Sequence, residues 1–201
     1  IGRRTWNDYL AKFRAEEHAV TIGIIGKYTT VRDSYASIIQ ALEHAGTHLR
    51  TKVNLEWVDS AEVSEPALAQ RLRGVQGVIV PGGFGFRGVD GKIACVKFVR
   101  AHGIPYLGIC YGMQIAVIEF ARNVCGLGDA NTTEVESGCA APVIDILPEQ
   151  RRLDRVGGNM RLGGHDVLLT PGSRVSRLYG GADRVRLRFR HRSEVAPQYV
   201  T

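Results

Sequence analysis

The 201-residue chain has no apolar run approaching the roughly 18 residues that span a bilayer as a helix. Its first residues, with Arg3, Arg4, Asp8 and Lys12 scattered among apolar ones, form no signal-peptide core. These absences predict a soluble, cytoplasmic protein with no membrane partner. There are only four cysteines, Cys95, Cys110, Cys125 and Cys139, lying 15, 15 and 14 residues apart. No C-x-x-C pair occurs, so neither a metal site nor a dense disulfide framework is expected. Three of the four are expected to be ordinary buried thiols. The chain also lacks an internal repeat, a low-complexity tract and the G-x-x-x-x-G-K-[ST] phosphate loop. The sequon at Asn131-Thr132-Thr133 is common by chance and means nothing in a cytosolic chain.

At 44% hydrophobic residues, the chain can bury a full core and fits one domain better than two. Apolar periodicity alternates between strand and helix. Strands are predicted at 20–26, 53–57, 77–80 and just before residue 110. A capped helix is expected over 33–44, with Gly46 just beyond it, and further helices over 65–73, 88–102 and 111–124. Repeated strand–helix units imply an α/β fold, a mostly parallel sheet with helices on both faces. Residues 1–19 carry Trp6, Tyr9, Leu10 and Phe13 at helical spacing, the end of a linker ahead of domain 20–201. After Gly126 the pattern turns to short strands, with candidates at 142–147, 160–162, 167–169 and 185–189.

The most informative stretch is Gly108-Ile109-Cys110-Tyr111-Gly112. An apolar strand ends at Cys110 and a helical pattern starts at once, so the cysteine sits on a sharp turn with glycines two residues to either side. Its sulfur is expected to be exposed at a helix start, where free N–H groups and the dipole can draw a thiol pKa from about 8.5 toward neutrality. Cys110 therefore reads as a nucleophile. The second break, Pro81-Gly82-Gly83-Phe84-Gly85, also falls at the carboxyl end of a parallel strand, so the two are expected to face each other. The N–H of Tyr111 and one from the Gly82-Gly83 turn can hold an oxyanion. Taken singly, Pro-Gly-Gly could be a tight turn and Cys110 a buried elbow residue.

Motifs along the whole chain carry a resemblance. They include Ile25-Gly26-Lys27-Tyr28-Thr29, the two glycine-rich breaks, Gly112-Met113-Gln114, Asp129-Ala130-Asn131-Thr132-Thr133-Glu134, Met160-Arg161-Leu162-Gly163 and Arg190-His191-Arg192-Ser193-Glu194-Val195. In these the chain resembles the class I glutamine amidotransferases, of flavodoxin-like architecture, and among them the glutaminase domain of CTP synthase. The resemblance implies that Cys110 attacks the side-chain amide of L-glutamine, releasing ammonia and forming a thioester that water hydrolyses. It places Gly83 and Tyr111 in the oxyanion hole, and Gly82, Gly83, Phe84, Tyr111, Gly112, Met113, Gln114, Glu134 and Arg192 against the substrate. A carboxylate suits an α-ammonium and an arginine an α-carboxylate. By spacing alone, Arg192 belongs to a basic strand whose arginines at 184, 186, 188 and 190 face solvent.

The same resemblance implies no cofactor in this domain. For the full-length enzyme it implies ATP, Mg and allosteric GTP, an N-terminal synthetase domain absent here, and an oligomer. The net charge of +6 raises nucleic acid as a partner, but no RRM, KH or helix-turn-helix signature is present. The arginines at 151, 152, 155 and 161 instead lie near the segment the resemblance links to a GTP-responsive lid. Two departures stand out. Tyr111 replaces the family's usual leucine, and the chain to Thr201 contains no His-Pro-Glu, the family's source of the base histidine and its orienting glutamate. None of His18, His44, His48, His102, His165 and His191 has a setting that suits a replacement base. Alternatives are another class I amidotransferase, an elbow-type cysteine hydrolase, or an inactive glutamine-binding module.

Overall fold

The computed structural model describes residues 3–15, 17–27, 32–61, 64–83, 88–146 and 161–200. The chain divides into two compact units, Ile1–Val143 and Ile144–Thr201.

In the first unit, helix α1 (Arg3–Arg14) precedes strand β1 (His18–Gly26), a 3-10 turn (Arg32–Tyr35), helix α2 (Ala36–His48) and strand β2 (Thr51–Asp59). Helix α3 (Glu65–Arg71), strand β3 (Gly77–Val80), helix α4 (Val89–Ala101), strand β4 (Tyr106–Gly108), helix α5 (Tyr111–Asn123) and strand β5 (Ala130–Thr132) follow. The sheet is wholly parallel with order β2-β1-β3-β4, the flavodoxin-like order. The chain leaves β1 in one direction to reach β2, then crosses back over β1 to β3. Right-handed crossovers therefore put α2 on one face and α3 and α4 on the other, and α4 packs against both α3 and α5. Ile24 and Ile25 are both completely buried, as neighbours on a strand covered on both sides must be. Ile25, Val58, Val78 and Val80 form one core layer with Leu68, Leu72, Cys95 and Val99 of α3 and its continuation and α4.

Gly46 lies inside α2 rather than after it, where a Cβ would come within 2.5 Å of the Thr51 carbonyl oxygen. The glycine serves close approach of helix to strand, and no side chain caps that helix start at Tyr35. By contrast, Ser64 caps α3 by accepting from Ala67 N–H. Helices α4 and α5 are tied by Arg100, whose Nε and Nη2 donate to the buried Glu119 carboxylate at 2.8–3.2 Å.

Strand β6 (Ala141–Ile146) leads from the first unit into the second. There Ile144–Ile146 pair antiparallel with β9 (Ser193–Val195). Strands β7 (Arg161–Leu168) and β8 (Arg184–His191) form an antiparallel ribbon, with helix α6 (Arg174–Leu178) between them in sequence. The separate candidates at 160–162 and 167–169 are thus parts of one strand, with Gly163-Gly164 paired rather than turning. Met160 and Leu147 lie outside the described residues. Arg184, Arg186, Arg188 and Arg190 are exposed along β8, and Asp166 pairs with Arg186 at 3.1 Å and Arg184 at 3.7 Å.

Candidate active site

The order β2-β1-β3-β4 reverses direction between β1 and β3, so a crevice opens at the carboxyl ends of those two strands. The Pro81–Gly83 turn leaves β3 there, and Cys110 sits between β4 and α5. Cys110 has φ 55° and ψ −108°, a conformation that costs a non-glycine residue roughly 1–3 kcal/mol. Its surroundings enforce it. Ile109 N–H donates to the Val80 carbonyl at 3.0 Å, and the Cys110 carbonyl accepts from Met113 N–H at 3.1 Å and Gln114 N–H at 3.3 Å.

The flanking glycines are there for space. A Cβ on Gly108 would lie 2.5 Å from the Met113 nitrogen, and one on Gly112 would run into the Val80 carbonyl. Helix α5 can therefore begin directly over the end of β3. The half-buried Tyr106 fixes this start, its hydroxyl donating to the Gly112 carbonyl at 2.7 Å. Burial, helped by Cys95, raises the pKa of that hydroxyl, so it stays a donor.

The two glycine-rich breaks do meet. A Cβ on Gly82 would lie 3.4 Å from Cys110 Cβ and 3.9 Å from its Sγ. Tyr111 N–H donates to the Cys110 sulfur. Glu134 lies near enough to act electrostatically on both Cys110 and Tyr111. Tyr111, Gly112 and Gln114 are buried, while Met113 and Gly83 are half-buried. Phe84 lies outside the described residues. Arg192 belongs to the second unit, exposed between β8 and β9.

Three expectations need correction. The Cys110 sulfur is not fully exposed, because the residue is half-buried. Its pKa is also raised rather than lowered: burial is the main cause, the Tyr111 N–H opposes it, and the Glu134 charge adds to it. The helix start supplies the favourable contact, but desolvation and a neighbouring carboxylate outweigh it. Of the other cysteines, only Cys95 is a buried thiol, pushed up to about 12 by desolvation, whereas Cys125 is exposed and Cys139 half-buried.

Lys92 is a site residue that sequence reasoning overlooked. It is 3% exposed, its ammonium stands 5.3 Å from the Tyr111 ring centre, and a Cβ on Gly83 would be 3.8 Å from its Nζ. Burial and the charge of Lys27 lower its pKa to about 8. A cavity of about 220 Å³ opens here, bordered by Lys27, Ser34, Tyr35, Gly82, Gly83 and Lys92. The signal in the sequence is the spacing Val89-x-x-Lys92-x-x-x-Val96-x-x-Val99, which puts a lysine in the apolar stripe of α4.

The histidines with described ring contacts are engaged structurally. His102 stacks on Phe98 and meets its carbonyl at 2.8 Å, His44 meets Tyr9 edge-on, and His165 and His191 flank Phe189 in the second unit. Among the described residues no group of His, Cys, Asp and Glu is arranged to hold a metal ion, and no helix is long and apolar enough to cross a membrane. The arginines at 151, 152 and 155 lie outside the described residues.

Residues 30–201 match the family model "Glutamine amidotransferase class-I". The chain is 46% identical over 198 residues to a CTP synthase of Archaeoglobus fulgidus, and 46% identical over 200 residues to one of Methanocaldococcus jannaschii. These alignments cover 98% and 96% of the chain but 37% of each relative, so the chain spans little more than a third of their length. Among solved structures, the glutaminase domain of Trypanosoma brucei CTPS with bound acivicin matches with a TM-score of 0.81 and 38% identity. That match covers 90% of this chain and 70% of that one. The strained cysteine between two space-making glycines, the parallel sheet that carries it and the extent of these matches lead to one assignment: the chain belongs to the class I glutamine amidotransferases.

Proposed function

We propose that this chain is the glutaminase domain of a CTP synthase. The observation that carries the reading is the elbow, where Cys110 is held at φ 55° with Tyr111 N–H on its sulfur and Gly82 against its Cβ. In this reading the Cys110 thiolate adds to the side-chain amide carbon of L-glutamine, and the amide oxygen takes up the negative charge. The N–H groups of Tyr111 and Gly83 hold that oxyanion; losing one such donor typically costs about 3 kcal/mol in barrier. Collapse breaks the C–N bond, and the leaving nitrogen takes a proton to depart as ammonia. Water then adds to the thioester carbon, and expulsion of the thiolate gives glutamate.

The family resemblance assigns Glu134 to the α-ammonium and Arg192 to the α-carboxylate of the substrate, and Gly82, Phe84, Gly112, Met113 and Gln114 to substrate contacts. Support for Glu134 comes from its electrostatic reach to Cys110 and Tyr111. Because the resting thiol pKa is raised, attack requires a base, and the His-Pro-Glu element of the family resemblance is its proposed source. The ammonia serves a synthetase domain that aminates UTP to CTP with ATP and Mg under GTP control, in an oligomeric enzyme of the cytoplasm. In this reading residues 1–19 end the linker from that domain. The raised thiol pKa also favours a second reading, a glutamine-binding module without turnover.

A glutamine-mimicking electrophile tests both. Adduct at Cys110, together with ammonia release from glutamine that Cys110→Ala abolishes, supports the glutaminase. Adduct without ammonia release in a chain carrying the His-Pro-Glu element supports the silent module. Preferential labelling of Cys95, Cys125 or Cys139 overturns the elbow assignment.

A further inference from the structure

A lysine in the buried stripe of a helix needs an explanation, because taking an ammonium out of water is expensive unless something answers its charge. Lys92 is 3% exposed, and the charge that acts on it is that of another cation, Lys27, so repulsion adds to desolvation. What the ammonium does meet is the elbow. It stands 5.3 Å from the Tyr111 ring centre and 3.8 Å from where a Cβ on Gly83 would lie, while a Cβ on the adjoining Gly82 would be 3.4 Å from Cys110 Cβ.

We propose that Lys92 is a positioning residue whose buried ammonium acts electrostatically on the Cys110 elbow, favouring the thiolate and the oxyanion that forms between Tyr111 and the Gly82-Gly83 turn. The inference takes Cys110 as the glutaminase nucleophile proposed above. In a desolvated site a charge acts over several ångströms with little screening. Other described groups bear on the pair or border the same cavity. From the end of β1 comes Lys27, from the 3-10 turn the Tyr35 hydroxyl, from α5 Tyr111, and Glu134 acts on Cys110 with the opposite sign. Asp90, on Lys92's own helix, is exposed. Lys92 thus offsets the carboxylate that the α-ammonium of the substrate would otherwise have to neutralise alone.

The signature is a particular pH dependence. Lys92 loses its proton near pH 8, while the Cys110 thiol titrates above its ordinary range. Below pH 8 the charged lysine raises the thiolate fraction; above it the lysine is neutral and has no such effect. The test follows alkylation of Cys110 by the small neutral reagent iodoacetamide from pH 6 to 10, read by peptide mass mapping. Wild type is compared with Lys92→Met and the polar Lys92→Gln, both checked for folding by near-ultraviolet circular dichroism. At pH 7 both variants should react about 3- to 10-fold more slowly, the range for a charge pair weaker than direct contact, and all three curves should converge above pH 9.

Equal rates at pH 7, or a deficit that persists unchanged to pH 10, would overturn the proposal, the latter marking a packing defect. Iodoacetamide does not report glutamine recognition. If the glutamine-like electrophile failed to label Cys110 while the converging profile held, the glutaminase reading would fall and the elbow electrostatics would stand.

Discussion

The backbone of Gly112 lies directly against the carbonyl of Val80, with no room for a methyl group between them. This contact joins the first turn of α5 to the last residue of β3. Gly112→Ala gains about 1 kcal/mol in helix propensity, but forcing the chain apart at such a contact costs about 1–3 kcal/mol. The variant should melt a few degrees lower and label poorly at Cys110, since the displaced helix carries the Tyr111 N–H away from the sulfur. Calorimetry with peptide mapping checks both.

Tyr106→Phe removes the hydroxyl that anchors the same turn at 2.7 Å. A hydrogen bond of this kind contributes about 0.5–1.5 kcal/mol, a melting shift of roughly 2–4 °C per kcal/mol at this size. Because only the anchor is lost, Cys110 should still be labelled, more slowly. A melting curve indistinguishable from wild type would mean that packing alone holds the elbow.

For Glu134→Gln the sign is fixed by electrostatics. The carboxylate raises the Cys110 pKa, so removing its charge lowers that pKa and moves the alkylation profile to lower pH. At neutral pH a neutral reagent should react roughly 2- to 10-fold faster, while the KM for glutamine rises. The two opposed responses separate a substrate contact from a general loss of structure.

Arg192→Ala should raise the KM for glutamine about 10- to 100-fold with a smaller change in kcat, as loss of a charge-assisted contact made equally in ground and transition states predicts. Unchanged glutamine kinetics would leave Arg192 as one more solvated arginine of the β8 edge.

A chain ending at Thr201 should still be alkylated at Cys110 but release ammonia about 10²- to 10⁴-fold more slowly than one extended through a His-Pro-Glu element, the usual contribution of a positioned acid–base group. Equal turnover would place the base within these residues, with His191 the first to substitute.

The parallel sheet was legible because its strands are apolar runs broken by glycine and its helices keep an apolar stripe; strand 77–80 and the helix starting at Tyr111 agree with the sequence reading. Short strands were not. β5 and β9 have three residues each, too few to show a period without an adjoining motif like the one that marks β4, and β7 reads as two pieces because backbone pairing leaves no mark on composition. The elbow was legible because steric need is local: Gly108 and Gly112 sit two residues from the cysteine they serve. The charge environment was not, since the charge that acts on Cys110 comes from Glu134, 24 residues away in the sequence. A helix-start argument sees only the helix.

The raised pKa of Cys110 also bears on chemical durability. Peroxide and stray electrophiles attack the thiolate, so a thiol kept protonated at rest climbs the oxidation ladder slowly. Exposed Cys125 should therefore be oxidised before Cys110, and anything that neutralises the Glu134 charge should make Cys110 more vulnerable.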